Sequence, residues 1–106
     1  MNRKQIQHGD VLLGKIDRLP VGVVEVDRKN GIIVVMDGEA TGHRHTVKDR
    51  GAILYELKGD LYLGATEPIT IHHDEHNPLT VPIGIYKIVQ VKEYDYFQEM
   101  ERNVID

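Results

Sequence analysis

Short runs of β-branched residues, each closed by a turn signal, constrain the fold of this chain more than any other feature. Valine and isoleucine together number 23, against 11 for alanine and leucine. β-Branched side chains suit the pleated, half-buried surface of a sheet. Apolar positions recur with no helical period over ten or more residues, and only residues 96–104 fit a short helix. The sequence therefore predicts strands almost throughout.

Turn signals divide these runs at regular intervals. Residues 29–31 (Lys-Asn-Gly) predict a hairpin that joins strands at 23–26 and 32–35, because Asn-Gly between apolar runs favours a two-residue turn. Residues 58–60 (Lys-Gly-Asp) predict a second hairpin. About eight or nine short strands at this spacing indicate an all-β fold, either a small single-domain β-barrel or a sandwich.

The chain length fits one domain. At 106 residues, a second domain would be unusually small. We predict a single β domain over residues 1–106 with an acidic C-terminal tail over residues 95–106. The net charge of −4 resides in residues 93–106, so the first 92 residues are neutral. The tail is either a solvated terminus or an arm that docks on a partner subunit, which leaves a homo-oligomer open.

The charge balance and the missing residue types exclude several classes of function. A general nucleic-acid binder carries a basic excess, which this chain lacks overall. A local basic patch remains: Arg28, Lys29, Arg44, Lys48 and Arg50. Without cysteine there is no disulfide, thiolate nucleophile or cysteine zinc site. Apolar stretches fall short of the roughly 18–20 residues of a membrane helix, and the first ten residues hold no apolar signal segment. We expect a cytoplasmic protein with no membrane partner.

Histidine clustering is the most informative functional feature. Five of the six histidines lie between positions 43 and 76. In a strand, His43, His45 and Val47 share one face, while Arg44 and its alternate neighbours face water. The strand rise places the two imidazoles about 7 Å apart at Cα, which suits two ligands of one metal ion.

A second group of histidines follows the next apolar strand. Ile71 marks the inner face there, so His73 also points inward, and Glu75 would do so if the strand continued. The turn signal that follows would let His76 swing back toward the site. The predicted metal ligands are His43, His45, His73 and His76. Glu75 is predicted as a fifth ligand or general base, and Glu39 as a proton acceptor or a hydrogen-bond partner of a ligand ring.

Two other interpretations of the histidines stay open. One is a metal-free, hydrogen-bonded cluster within the core. The other is a catalytic pair of histidines that exchange protons near neutral pH, which the ordinary imidazole pKa permits. Residues 72–76 also fit the H-x-x-E-H pattern of inverted zinc peptidases, but the surrounding strand and turn signals disfavour the helix that this pattern needs.

Part of the chain resembles the cupins, small β-barrels with an inward metal site. Gly38, residues 43–45 (His-Arg-His) and Asp49 resemble their first motif, and residues 82–84 (Pro-Ile-Gly) resemble the Pro-x-Gly of the second. The spacing from glycine to histidine is one residue short, and Lys87 stands where the second motif has a histidine. The resemblance implies a barrel fold, a metal centre and, with iron, oxygen chemistry.

A longer set of segments resembles a group of small bacterial and phage proteins of uncharacterised function. The segments read GDVLL at 9–13, GEATGHRH at 38–45, HDEH at 73–76, PIGIY at 82–86 and EY at 93–94. This resemblance implies one compact domain centred on the histidines and supplies no activity.

The residues together predict a metal-dependent enzyme with one divalent ion, Zn, Fe, Mn or Ni, inside a small β-barrel. Hydrolysis of a small-molecule or phosphate-containing substrate is the reaction expected first, because a bound metal activates water and polarises oxygens. The alternative is a non-catalytic module that binds protein or RNA and whose histidines are structural. RNA would then contact Arg44, Lys48 and Arg50.

Overall fold

The structure is a computed structural model that describes residues 5–37 and 44–90. These residues form ten strands and no helix, and so contain no helix able to cross a membrane. The strands are β1 (Gln5–His8), β2 (Val11–Ile16), β3 (Val24–Val26), β4 (Ile33–Asp37), β5 (Arg44–Val47), β6 (Ala52–Leu57), β7 (Asp60–Ala65), β8 (Ile69–His72), β9 (Leu79–Val81) and β10 (Gly84–Gln90).

Two antiparallel sheets make up the fold. One has six strands in the order β1-β2-β10-β7-β6-β3, and the other has four in the order β4-β5-β8-β9. Strand pairing ends at β1 and β3 in the first sheet and at β4 and β9 in the second, so neither sheet closes within the described residues. The all-β prediction is confirmed, and of the two architectures that the sequence left open the structure has a sandwich rather than a closed barrel.

The predicted hairpin at residues 58–60 is confirmed. β6 and β7 pair with Leu57 opposite Asp60, which leaves a two-residue turn. Both turn residues have positive φ, 50° at Lys58 and 86° at Gly59. Two positive φ angles are the signature of a type I′ turn, whose twist matches that of the flanking strands.

The predicted hairpin between residues 23–26 and 32–35 is wrong, although the turn itself is present. Asn30 has a φ of 54°, and an isolated bridge joins Lys29 to Ile32. β3 nevertheless pairs with β6, and β4 pairs with β5 in the other sheet. Arg28 anchors this corner, because its guanidinium donates to the carbonyl oxygens of Gly31, Asp49 and Ala52.

A continuous apolar core holds the sandwich together. β8 and the first four residues of β2 and of β6 alternate buried and half-buried residues, which follows from the period of two in a strand. Burial of each large apolar side chain contributes roughly 1.5–3 kcal/mol. The buried core residues are Val11, Leu13, Ile33, Val35, Val47, Ala52, Leu54, Leu63, Ala65, Ile69, Ile71, Val81, Tyr86 and Ile88.

Several sequence predictions lie outside the described residues. They are His43, Glu39, the short helix at 96–104 and the acidic tail at 95–106.

Candidate functional site

His45 enters the site from the centre of the four-stranded sheet. The burial pattern of β5 alternates as expected, with Arg44 exposed and His45 and Val47 buried. His45 is 1% exposed. Its backbone lies in a strand flanked by β4 and β8, so the position of the ring is set by two neighbouring strands.

His73 and His76 reach the same place from the loop between β8 and β9. Ile69 and Ile71 fix the inner face of β8, and His73 follows directly after the strand ends. The centroids of the His45 and His73 rings are 4.4 Å apart, and those of His73 and His76 are 4.5 Å apart. His73 is half-buried and His76 is exposed.

His8 is the fourth ring of the cluster, and it is not among the ligands predicted from the sequence. It ends β1 and is 6% exposed. Its ring centroid lies 5.1 Å from that of His45, 5.6 Å from that of His76 and 6.3 Å from that of His73. His8 stands 35 residues before the other histidines, so no local spacing connects them. The sequence pattern that could have identified His8 is its alternation with the apolar Ile6 just before a Gly-Asp turn.

Two outer hydrogen bonds fix the buried rings. Nε2 of His8 lies 2.7 Å from the backbone carbonyl oxygen of Asn77, and Nε2 of His45 lies 2.8 Å from Oδ1 of Asp10. The two remaining ring nitrogens, Nδ1 of His8 and Nδ1 of His45, face each other at 3.1 Å. The first bond joins β1 to the β8–β9 loop and the second joins the β1–β2 turn to β5, so the site links the two sheets.

Burial and neighbouring charges shift the pKa values of His45 and Asp10. Burial lowers the pKa of His45 below its usual 6.5, the hydrogen bond to Asp10 opposes this, and repulsion from His73 lowers it further. Burial acts to raise the pKa of Asp10, but its hydrogen bonds and its attraction to His45 outweigh burial and hold it below 3.8. At neutral pH Asp10 is therefore a carboxylate beside a neutral imidazole.

Gly9 allows the turn between β1 and β2 to approach the cluster closely. Its φ is 62°, and His8 pairs with Val11 across the two-residue turn. An ideal Cβ on Gly9 would lie 2.6 Å from Nε2 of His76 and 3.3 Å from Cε1 of His45. A side chain at this position would therefore strain the backbone and displace the ring of His76.

Glu75 is exposed, and its backbone contacts the cluster. Its N–H donates to Nδ1 of His73 at 3.0 Å. A neutral His73 that accepts at Nδ1 carries its hydrogen on Nε2. Neither nitrogen of this ring then offers a lone pair to an ion. In keeping with this, no group of three or more histidine, aspartate or glutamate side chains in residues 5–37 and 44–90 is arranged to hold a metal ion.

The fold brings Arg28 of the predicted basic patch against the backbone of Lys48 and Asp49. Arg44, Lys48 and Arg50 are exposed on β5 and the turn that follows it. Arg28 is half-buried and its guanidinium is engaged by backbone carbonyls, so it serves the corner of the sandwich.

Comparisons with known proteins identify a family without an assigned activity. No curated protein and no solved structure matches the chain significantly. A family profile described as "Domain of unknown function (DUF8820)" matches residues 7–91, a segment that contains all six histidines and Asp10. The chain therefore belongs to the DUF8820 family of domains of unknown function.

Proposed function

We propose that the histidine cluster binds one divalent metal ion and that the protein is a metal-dependent hydrolase. The observation that carries the proposal is the convergence of four imidazoles from β1, β5 and the β8–β9 loop. Their ring centroids are separated by 4.4 to 6.3 Å. A tetrahedral ion with bonds of about 2.0–2.1 Å to nitrogen sets imidazole centroids roughly 5 Å apart.

One side of the cluster is buried and the other is exposed to solvent, which supports a catalytic site over a purely structural one. His8 and His45 are buried, whereas His76 is exposed and His73 is half-buried. A catalytic zinc site keeps one coordination position open to water or substrate, and a structural site is closed by four protein ligands. An ion held between the buried and exposed rings would have that open position on the solvent side.

Metal binding requires a rearrangement of the loop that carries His73. The ring must release the N–H of Glu75 to free Nδ1 for an ion. His76 is exposed and can adjust, while the buried rings stay in place. His43, which lies outside the described residues, keeps its predicted role as a further ligand, as does Glu39 as a proton acceptor.

The ion would supply a water of lowered pKa and a Lewis acid for a carbonyl or phosphoryl oxygen. Glu75 lies on the exposed side, where a carboxylate could remove a proton from water. The substrate class that fits this chemistry is a small carboxylic or phosphoric ester. We further propose a cytoplasmic location and kinship with the small bacterial and phage proteins that the sequence resembles.

The test combines metal analysis with activity. Untagged protein is purified without chelator, and its content of Zn, Fe, Mn and Ni is measured by elemental mass spectrometry. We expect nearly one ion per chain in the wild type, and loss of the ion in His45→Gln. Hydrolysis of p-nitrophenyl acetate and p-nitrophenyl phosphate should disappear with EDTA and return with metal. A folded wild-type protein that takes up none of these ions would contradict the proposal.

A second candidate function, RNA binding, is favoured by the exposed cations on β5 and on the turn that follows it. Arg44, Lys48 and Arg50 are all exposed, and the alternation places Arg44 and Lys48 on the same outward face. Under this alternative, replacing the three by glutamine should weaken RNA binding and flatten its salt dependence, while EDTA has little effect. The hydrolase proposal predicts instead that EDTA abolishes activity and that replacing the three cations has little effect.

A further inference from the structure

The hydrogen-bond partners of His8 and His45 determine which nitrogen of each ring carries its hydrogen. A backbone carbonyl oxygen only accepts hydrogen bonds, so His8 donates to Asn77 from Nε2. A carboxylate also only accepts, so His45 donates to Asp10 from Nε2. A neutral imidazole has one N–H, so Nδ1 of each ring is an unprotonated acceptor.

These two acceptors face each other in a buried position. The Nδ1 atoms are 3.1 Å apart, with His45 1% and His8 6% exposed. Two lone pairs in this arrangement need a positive group between them, because a buried acceptor without a donor is unfavourable. Either a shared proton or a metal cation satisfies both atoms.

The geometry matches a metal ion in two respects. A tetrahedral ion with bonds of about 2.0–2.1 Å sets neighbouring ligand nitrogens roughly 3.3 Å apart, close to the observed 3.1 Å. Metal-bound histidines donate their other N–H to a carboxylate or a backbone carbonyl, and this pair uses one of each.

We propose that His8 and His45 are the fixed ligands of the metal ion, each through Nδ1. Asp10 and the carbonyl group of Asn77 are positioning groups that hold the two rings. His76 is the third protein ligand, supplied by the exposed side of the cluster. This inference rests on the proposed metal binding and adds His8, from the opposite sheet, to the set predicted from the sequence.

The ligand assignment is tested by titrating EDTA-treated protein with Zn²⁺, Co²⁺ and Ni²⁺ in a calorimeter. His8→Gln should weaken binding more than about 100-fold, beyond the loss typical of an outer group. His72→Gln is the matched control, because His72 alternates to the other face of β8 beside the same loop. It should change affinity less than about threefold, with the fold of each variant checked by circular dichroism.

Nitrogen NMR of the wild-type imidazoles tests the same assignment without any variant. Before metal is added, His8 and His45 should both carry hydrogen on Nε2, and Zn²⁺ should shift their Nδ1 signals. A hydrogen found on either Nδ1, with no shift upon adding Zn²⁺, overturns the inference in favour of a shared proton.

The outcomes separate the two proposals. Tight Zn²⁺ binding that survives His8→Gln but not His76→Gln overturns the ligand assignment and leaves the metal-dependent hydrolase standing. Binding that depends on His8, without hydrolysis of either ester, supports the assignment and overturns the hydrolase. A wild-type protein that binds none of the three ions overturns both.

Discussion

Two hairpins of the six-stranded sheet, β1–β2 and β6–β7, have similar two-residue turns but differ in what these turns contact. Each turn has two residues and includes a glycine with positive φ, 62° at Gly9 and 86° at Gly59. Each hairpin also has an aspartate at or beside the turn. Asp10 binds His45 at 2.8 Å, and Asp60 lies 3.8 Å from Nζ of Lys87 on the surface.

The surroundings of the two glycines distinguish the hairpins most clearly. A Cβ on Gly59 would meet nothing within 4 Å, whereas a Cβ on Gly9 would press on His76 and His45. The β6–β7 turn therefore only reverses the chain, whereas the β1–β2 turn also forms one wall of the histidine cluster. The same turn chemistry, with glycine next to a short polar residue, is compatible with both roles, so function has to be inferred from what the turn contacts.

Replacing the aspartate of each hairpin is expected to reveal the largest difference between them, in Zn²⁺ affinity. Asp10→Ala should weaken Zn²⁺ binding about 10- to 100-fold, because a carboxylate that orients a ligand ring has that effect on metal affinity. Asp60→Ala should leave Zn²⁺ affinity unchanged and alter the free energy of unfolding by less than about 1 kcal/mol, as for an exposed ion pair. Calorimetry measures the first quantity and urea unfolding the second.

Asp10→Asn sharpens this comparison. The amide oxygen can still accept the hydrogen bond from His45, but its negative charge is gone. We expect an affinity between those of the wild type and Asp10→Ala. Equal Zn²⁺ affinity in the wild type and Asp10→Ala would show that the turn does not position His45 for an ion.

The sequence predicted those features that depend on local patterns. Strand alternation identified the buried face of β5 and hence the position of His45, and Lys58-Gly59 correctly indicated a hairpin. The sequence did not predict which strands pair when the partners are distant in the chain. The residues on either side of Asn30 look like hairpin partners. However, β3 pairs with β6 and β4 pairs with β5, and Arg28 anchors the corner between them. The two strands therefore lie in different sheets.

His8 was missed for the same physical reason. Its contact with His45 spans 37 residues along the chain and depends on how the two sheets meet. Periodicity within β1 indicates which face His8 occupies, but it carries no information about which strand lies opposite. The histidines at 73 and 76 were easier to select, because they follow an apolar strand within one short segment.

The second comparison between the hairpins concerns their glycines. Gly9→Ala and Gly59→Ala should each lower the free energy of unfolding by roughly 1–2 kcal/mol, since both place a Cβ at positive φ. His76 is exposed and can move away from the new methyl group, so the clash adds little to this cost. Only Gly9→Ala should also reduce Zn²⁺ affinity, about tenfold, by displacing His76.

Urea unfolding in EDTA and calorimetry with Zn²⁺ separate these two effects of the glycine variants. Equal losses of affinity in both variants would mean that backbone strain alone disturbs binding. An unchanged affinity in Gly9→Ala would remove His76 from the ligand set.

The smallest expected effect is the pH dependence of stability in the metal-free protein. Burial lowers the pKa of His45 below 6.5, so unfolded chains bind more protons than folded ones as the pH falls through 6.5. The free energy of unfolding in EDTA should therefore decrease from pH 7.5 downward. It should decrease again as the pH falls through 3.8, because the pKa of Asp10 is lowered in the folded state.

The exposed Lys87–Asp60 pair supplies the control for this pH dependence, because it lies on the surface and contains no histidine. Lys87→Gln should keep the wild-type slope of unfolding free energy near pH 6.5, whereas His45→Gln should flatten it. A wild-type slope of the opposite sign would indicate that the folded protein takes up a proton more readily than the unfolded chain. That proton would belong between Nδ1 of His8 and Nδ1 of His45, which are 3.1 Å apart, and metal would then have to displace it. The sign of this slope thus shows whether the buried pair holds a shared proton when no metal is bound.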